Sequence, residues 1–394
     1  MFPTARTKIR DRVAGSASAT GRRASADAVE RAIAELERDP GLVLIFTAGD
    51  LDPEAAASEA QAAAGGARVA GMTGTGVIDA RGLVETGCSA IAFSSSLATG
   101  VGASATADSR TAGRDATAEA LRAINGAPHA VVLLFVDSEC GDQAEFIAGA
   151  YEVAGGRIPF AGGAAGGCTR ARFVDGRAIS SGLVAVAIGS SAPIGVGVTH
   201  GCVARGAPSI VTRSDGPYIL QLDGRPADAV YLEKIGVDAA DIGDDEFEAL
   251  AMVHPLAELE LSGAVRPRYL RARAPGGALL CATNIEENAA VVVCDQTPET
   301  IIRSAQTAVE DALSELEGPA EAALVFDCAA RSAWFKGALG AALAEREREA
   351  LEAGFGRPPA SLAGAYTRGE IGRARGAKGD RNHSVVVAAF SAAD

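Results

Sequence analysis

The chain has 394 residues, 48% hydrophobic but only 5% aromatic, with a formal net charge of −14. That length accommodates two or three domains whose core is filled mainly by aliphatic side chains and Ala. The acidic excess argues against nucleic acid or an anionic membrane as partner, since phosphates need clustered Lys and Arg.

Residues 1–24 read as a flexible, basic, Ala/Ser-rich lead-in without the apolar core of a secretory signal. No apolar run approaches the roughly 20 residues that span a bilayer. The seven Cys are scattered without framework spacing, so a reducing cytoplasm is the expected compartment.

The first helical pattern has Ser25 as its cap and Val29, Ile33 and Leu36 on its apolar face, and Pro40-Gly41 ends it. A buried strand follows, Leu42 to Phe46. Asp52-Pro53 caps a second helix, Gly71 and Gly76 mark a turn, and Ser89 to Phe93 is a closing strand. The same order returns. Asp115 starts a helix through Leu121 and Ile124, Val131 to Phe135 is a strand, and Asp142 with Glu145 resembles a capping box. Gly162 and Gly167 repeat the turn, and Leu183 to Ile188 the closing strand.

From Ile194 to Asp295 the pattern breaks into strands at Ile194–Val198, Ser209–Thr212, Ile219–Leu222, Tyr269–Arg273, Ala278–Ala282 and Ala289–Val293, with a helix over Ala227–Ile235. Pro255 and Pro267 bound a loop-rich part, and the acidic run Asp241 to Glu248 reads as solvated surface. The unit then recurs: a helix over Thr297–Leu316, a strand at Ala323–Phe326, a helix with Phe335, Leu339 and Leu343 on one face, glycines at 364 and 369, and a strand over Ser384–Phe390. The fold class is therefore α/β: repeated strand–helix–turn–strand units forming two related sheet-containing halves.

Several chemistries lack their motif. No Gly-Lys-Ser/Thr follows a glycine loop, since Cys168 stands where the Lys would be; there is no nucleophile elbow and no Cys-x-x-Cys. Covalent haem attachment is absent as well. A single His binding haem stays open to sequence, with His200 and His254 as candidates by elimination only, and haem is not expected.

Ligands of parallel α/β sheets sit at the carboxyl ends of strands. The third unit concentrates polar groups there. Asp327-Cys328 follows its strand, Arg331 begins the next helix, and the turn Gly364 to Ile371 carries Tyr366, Arg368 and Glu370. Glu370 follows the second glycine, where Val77 and Cys168 stand in the other copies; Asn382 and His383 lead into the last strand and can face the same turn. A thiol beside Arg331 at a helix start tends toward thiolate, against the commoner buried structural Cys. The expected ligand site is Cys328, Arg331, Tyr366 and Glu370, with Asp223 and Arg225 contributing from the strand–turn–helix segment Leu222–Ala227. Arg331 as cation and Glu370 as anion would suit a zwitterion such as an amino acid. The rival readings are an enzyme with Cys328 as nucleophile or Glu370 as acid–base, for which no oriented base is evident, and a scaffold without a ligand.

From about Ser25 to Phe390 the chain resembles the FIST family, the sensory domain named for F-box and intracellular signal transduction proteins. The resemblance rests on Gly71 to Gly76, Gly162-Gly163-Ala164-Ala165, Phe173-Val174-Asp175-Gly176, Leu222 to Ala227, Asp327 to Arg331 and Tyr366 to Ile371. Met72, Thr73 and Val77 depart from the family's polar first turn. The resemblance implies a FIST N-terminal domain over 25–215 and a C-terminal domain over 216–394. It also implies a small-molecule ligand, amino acids among the candidates, and a signal passed to a kinase, cyclase or other output, here a separate protein. One branch of the family binds haem and senses nitric oxide.

Overall fold

The computed structural model describes residues 12–139, 142–238, 242–260, 262–335, 340–373 and 378–392. The first unit runs β1 (Ala14–Ala19), α1 (Ala24–Ala34), β2 (Pro40–Ala48), α2 (Pro53–Ala63), β3 (Arg68–Thr73), the hairpin β4 (Gly76–Asp79) and β5 (Gly82–Val84), then β6 (Gly87–Ser94). The second repeats it as β7 (Ala98–Ser104), α3 (Ser109–Arg122), β8 (His129–Val136), α4 (Gln143–Ala154), β9 (Phe160–Ala164), β10 (Arg172–Val174), β11 (Arg177–Ile179) and β12 (Leu183–Ser190). The third opens with β13 (Ile194–His200) and is then interrupted by a middle domain. That domain comprises β14 (Val203–Asp215), β15 (Tyr218–Leu222), β16 (Arg225–Pro226), α5 (Ala227–Ile235), α6 (Asp244–Val253), β17 (Leu256–Leu259), β18 (Val265–Arg268), β19 (Leu270–Ala274), β20 (Ala278–Cys281) and β21 (Ala290–Asp295). The third unit resumes with α7 (Pro298–Leu313), β22 (Ala320–Cys328), α8 (Ala329–Ser332), a 3-10 turn, α9 (Gly340–Phe355), β23 (Ser361–Thr367), β24 (Glu370–Arg373), β25 (Asp380–Arg381) and β26 (Ser384–Ser391).

The three units exchange their hairpins cyclically. The sheets are ordered β1-β6-β2-β3-β10-β11, β25-β24-β9-β8-β12-β7 and β13-β26-β22-β23-β4-β5. The first unit's hairpin thus completes the third sheet, the second's completes the first, and the third's completes the second. Register obeys the same symmetry: Ile78 lies opposite Gly364, Phe173 opposite Gly71, and Ile371 opposite Gly162. Each of those glycines presses on its central strand. A Cβ there would sit 1.8, 2.2 and 1.9 Å from the carbonyl oxygens of Ile45, Leu134 and Val325, so no side chain fits.

The central strands read as unbroken apolar runs because both faces are covered. Their inner faces meet in one shared core, where Phe46, Phe135 and Phe326 pack ring to ring at 5.7 to 6.0 Å. Their outer faces are covered by the Ala-rich helices α1 and α2, α3 and α4, and α7 and α9. The middle domain has its own core around Tyr231, Phe247, Leu256 and Leu270.

The structure corrects several sequence expectations. The stretch read as a flexible lead-in contains β1, paired along its length with β6, and Ile194–Val198 belongs to the third unit rather than to the interruption. Ser25 does not cap α1; it lies buried inside the helix, which starts after Arg23, with its hydroxyl near Cys88. The helix read from Asp115 starts at Ser109, capped by Asp108. The acidic run read as solvated surface does expose Asp245, Glu246 and Glu248, but it forms the start of α6 and turns Phe247 into the core; Asp241 lies outside the described residues, as does Leu339. Asp52, Asp142 and Thr297 do cap their helices. Gly167 is not the structural counterpart of Gly76 and Gly369. The second unit's turn is longer, so Phe173 stands eleven residues after its first glycine where Ile78 and Ile371 stand seven after theirs.

Candidate functional site

β22 ends on Asp327 and Cys328, and the chain turns at once into α8. Arg331, on that turn, is fully buried. Its Nε donates to Asp327 Oδ1 at 2.6 Å, Nη1 to Ser304 Oγ at 2.8 Å, and Nη2 to Glu347 Oε1 at 2.7 Å and to the Ile301 carbonyl at 3.2 Å. Tyr366 completes the group by donating its hydroxyl to Glu347 Oε2 at 3.1 Å. Burial pushes the carboxyls of Asp327 and Glu347 upward, Glu347 to about 8, with Arg331 opposing. The guanidinium is held charged because the two carboxylates outweigh its own burial. Arg331 and Tyr366 therefore form an internal ion cluster under the strand end.

Beside it, β24 carries Glu370 into the second sheet, opposite Gly163. The Glu370 carboxyl accepts from Thr367 Oγ1 at 3.0 Å and from the Ser384 N–H at 3.1 Å, and it lies in hydrogen-bond reach of the Cys328 thiol. Burial raises it to about 8. Burial and the neighbouring Glu370 push the Cys328 thiol well up, although the N–H groups of Ala330 and His383 oppose this. Cys328 is thus held as a thiol, the reverse of the thiolate tendency read from its sequence neighbours.

His383 is fully buried and left-handed at φ 53°, a region uncommon for non-Gly residues in which His, like Asn and Asp, is over-represented. Its Nδ1 lies 3.1 Å from Gln296 Oε1, its ring 5.7 Å from that of Tyr269, and burial, with Arg331 and His200 nearby, lowers it to about 3. His383 Nε2 and Gln296 Nε2 have no hydrogen-bond partner among the described residues, although both side chains are almost wholly buried.

Tyr269 belongs to the middle domain and Gln296 to the connection from its last strand back to α7, so this group lies where that domain meets the third unit. The surrounding seam is polar. Arg266 and Arg268 grip Glu258 and Asp380 in a closed, buried box, with all four contacts between 2.5 and 2.7 Å. Tyr269 N–H donates to Asn382 Oδ1 at 3.1 Å, and Asn284 Nδ2 to Asp142 Oδ2 at 2.8 Å. Gln143, at the start of α4, donates to the Glu370 carbonyl at 3.1 Å.

Of the six residues expected at the site, Cys328 and Glu370 are in contact, and Arg331 and Tyr366 meet through Glu347. Asp223 and Arg225 have their contacts elsewhere. The Asp223 carboxylate accepts from the Ile210 N–H at 2.8 Å, and Arg225 pairs with Glu233 at 2.7 Å, both exposed within the middle domain. Their turn, with Asp223 left-handed at φ 51°, is a hairpin tip. Gln296, Tyr269 and the Arg–carboxylate box were missed. Arg266-Pro267-Arg268 did carry a signal, since strand alternation puts both Arg on one face.

The hairpin exchange defines structural counterparts. Register aligns Glu370 with Arg172 and Val77, which corrects the earlier pairing with Cys168, and Cys328 with Asp137 and Ala48. Arg172 and Asp137 form a buried ion pair at 3.5 Å, whereas Val77 is a core residue. Among the described residues no group of three His, Cys, Asp or Glu side chains is placed to hold a metal, and no helix is long and apolar enough to cross a membrane. An open cleft of about 670 Å³ at the opposite ends of the strands, lined by Ile124, His129, Arg157, Ile194 and Glu315, contains none of the six.

A FIST N domain matches residues 41–225 and a FIST C domain residues 227–373. Two proteins of Mycobacterium tuberculosis, from strains CDC 1551 and H37Rv and both described as uncharacterized, are each 30% identical over 232 residues. That match covers 57% of this chain and 57% of each relative, so the chain spans rather more than half the length of the curated proteins it matches. FIST domains are associated with sensing in signal transduction. With both of its domains matched in order over most of its length, the chain belongs to the FIST family.

Proposed function

We propose that this is a small-molecule-binding sensory protein. Its ligand is a metabolite of the size of an amino acid, seated where the middle domain closes on the third unit. Cys328, Glu370, His383 and Gln296 bound the seat, and Arg331 and Tyr366 brace it from behind. The observation that carries the reading is the His383–Gln296 pair at the seam: both side chains are buried, and among the described residues one nitrogen of each has no hydrogen-bond partner. Unpaired buried polar atoms are costly, and each one calls for an explanation such as binding. A ligand that prefers one setting of the seam shifts the population of that setting, and a separate partner such as a kinase or cyclase reads the change.

The enzyme reading gains less support. A nucleophile needs a thiolate and an oriented base, and both burial and Glu370 hold Cys328 protonated. Native mass spectrometry of the purified protein, before and after incubation with a metabolite extract, tests the proposal. The expected result is one retained or acquired small molecule, lost in Gln296→Leu while the fold persists. A protein that stays empty in every extract, or that consumes the molecule it takes up, refutes it.

A further inference from the structure

We infer that the open cleft at the amino ends of the central strands is a second small-molecule site, one that takes a carboxylate carrying an apolar chain or ring. The inference does not rest on the seat proposed at His383, which lies at the other ends of the strands.

The cleft follows from a break in the three-fold pattern. Each leading strand, β1, β7 and β13, is the outer strand of its sheet. Two of them are tied to the start of a strand in a neighbouring unit. Ser361 Oγ, at the start of β23, donates to the Ala14 carbonyl at 2.7 Å, and Arg68 Nη2, at the start of β3, donates to the Val101 carbonyl at 3.3 Å. Arg68 stands opposite Leu42 and Ser361 opposite Ala322; the register of β8 with β9, continued by one residue, makes Pro159 their counterpart. Proline has no side-chain donor, and among the described residues no hydrogen bond joins the approach to β9 to β13. The third seam therefore stands open, with about 670 Å³ of space, a volume ordinary for small-molecule sites.

The lining is two-sided. Leu121 and Ile124 at the end of α3 and Ile194 on β13 supply apolar surface, and Leu121 and Ile194 are only partly buried. Arg157, between α4 and β9, supplies an exposed guanidinium that has no partner among the described residues. The same register, carried back to residue 129, sets the exposed His129 level with it as a further N–H donor. The one carboxylate of the lining, Glu315, belongs to the third unit's side and has a contact of its own. In a chain of net charge −14, an unpaired guanidinium above apolar side chains is a specific place for an anion. Its fork matches a carboxylate, and burying a chain or ring against Leu121, Ile124 and Ile194 adds the apolar contribution. A cationic ligand would meet Arg157 uncompensated, and an uncharged one would leave it unused.

The test is calorimetry on the full chain with acetate, hexanoate, octanoate, 1-octanol and octylammonium. Octanoate should bind saturably, more tightly than hexanoate by up to about fourfold per methylene, and more weakly as salt rises. Acetate, 1-octanol and octylammonium should each bind more weakly than octanoate. Arg157→Gln should weaken octanoate about fivefold, the effect of one ion pair at a partly exposed site, and Arg157→Lys should keep part of that loss from appearing. Circular dichroism checks that both variants fold. Equal affinity for 1-octanol, a preference for octylammonium, or octanoate binding untouched by Arg157→Gln overturns the inference. So does the absence of saturable octanoate binding at millimolar concentrations.

Discussion

Cutting the chain between residues 215 and 216 should leave neither piece able to fold. That cut falls where the sequence suggests a boundary between two domains, yet the sheets cross it. A fragment of residues 12–215 keeps the hairpin β4–β5 but loses β23, on which it pairs; it keeps β13 but loses β26, and keeps β9 but loses β24. The shared core loses Leu324, Phe326, Val386 and Phe390 together with Ala322, Ala363, Ala365 and Ala388. Phe46 and Phe135 lose the third ring of their triad, and Phe93 loses Phe390. Fully exposing a side chain of the Val, Leu or Phe class forfeits about 1.5–3 kcal/mol. Even half exposure of Phe46, Phe93, Phe135, Val77 and Val196 then removes about 4–8 kcal/mol, a large share of the 5–15 kcal/mol typical of a whole domain. Unpaired strand edges add to the loss. Circular dichroism melts, dye binding and sedimentation of the fragment are the assays. The expected outcome is no cooperative transition and self-association, with recovery when the two pieces are expressed together. A monomeric fragment with a sharp melt would refute the strand exchange as the basis of folding.

Three further outcomes are expected. Gly364→Ala should destabilise by roughly 2–4 kcal/mol, because its Cβ would meet the Val325 carbonyl at 1.9 Å; Gly318→Ala, with nothing within 4 Å, should be near neutral in the same urea titration. Arg331→Met should cost about 3–5 kcal/mol by stranding Asp327 and Glu347, and the loss should be greater at pH 8 than at pH 5, where the stranded carboxyls can take up protons. Glu370 keeps its proton in the fold up to about 8, so its stabilising contribution is complete below about 4.5 and fades as pH rises through 8. Glu370→Gln should therefore gain stability over the native protein from about pH 5 to about pH 8 and level off above that, and a pH-independent gap in melting temperature would contradict the raised carboxyl.

The repeat was legible because its signals are local. Apolar runs ending at Phe46, Phe135 and Phe326, and the paired glycines 71 and 76, 162 and 167, and 364 and 369, can be read without knowing what packs on what, although Gly167 proved not to be the counterpart of the other two second glycines. The leading strands β1 and β7 were missed because Gly, Ser and Ala dominate them; residues that small pack tightly on a helix but carry no strand propensity. The hairpin exchange was hidden for a different reason. β4, β10 and β24 are three or four residues long, and their partners are set by tertiary closure rather than by any turn. The site was half legible. Residues adjacent on one strand end or turn, such as Cys328, Arg331 and Glu370, could be grouped. Glu347, the partner of Arg331, and Gln296, the partner of His383, lie on other elements and gave no local cue, so Arg331 read as an open cation when it is in fact enclosed.

The same exchange explains why one corner differs from its two counterparts. Each unit sends its hairpin into a neighbouring sheet, yet the first residues of that hairpin stay beside the end of the unit's own central strand. Three equivalent corners result. One is filled by Ala48 and Val77, and the second is closed by the Asp137–Arg172 ion pair. The third combines a protonated thiol, a carboxyl that keeps its proton and an imidazole nitrogen without a hydrogen-bond partner among the described residues, and there Tyr269 of the inserted middle domain and Gln296 at its root reach the corner. The insertion enters directly after β13, the third unit's first strand, so its roots at Cys202 and Asp295 lie close to His200 and Gln296. A change in the setting of His383 against Gln296 therefore acts at the root of the middle domain, where a small rotation moves its far end most. The exchanged hairpins frame all three corners, and the broken symmetry sets the corner of Cys328, Glu370 and His383 beside the roots of the middle domain.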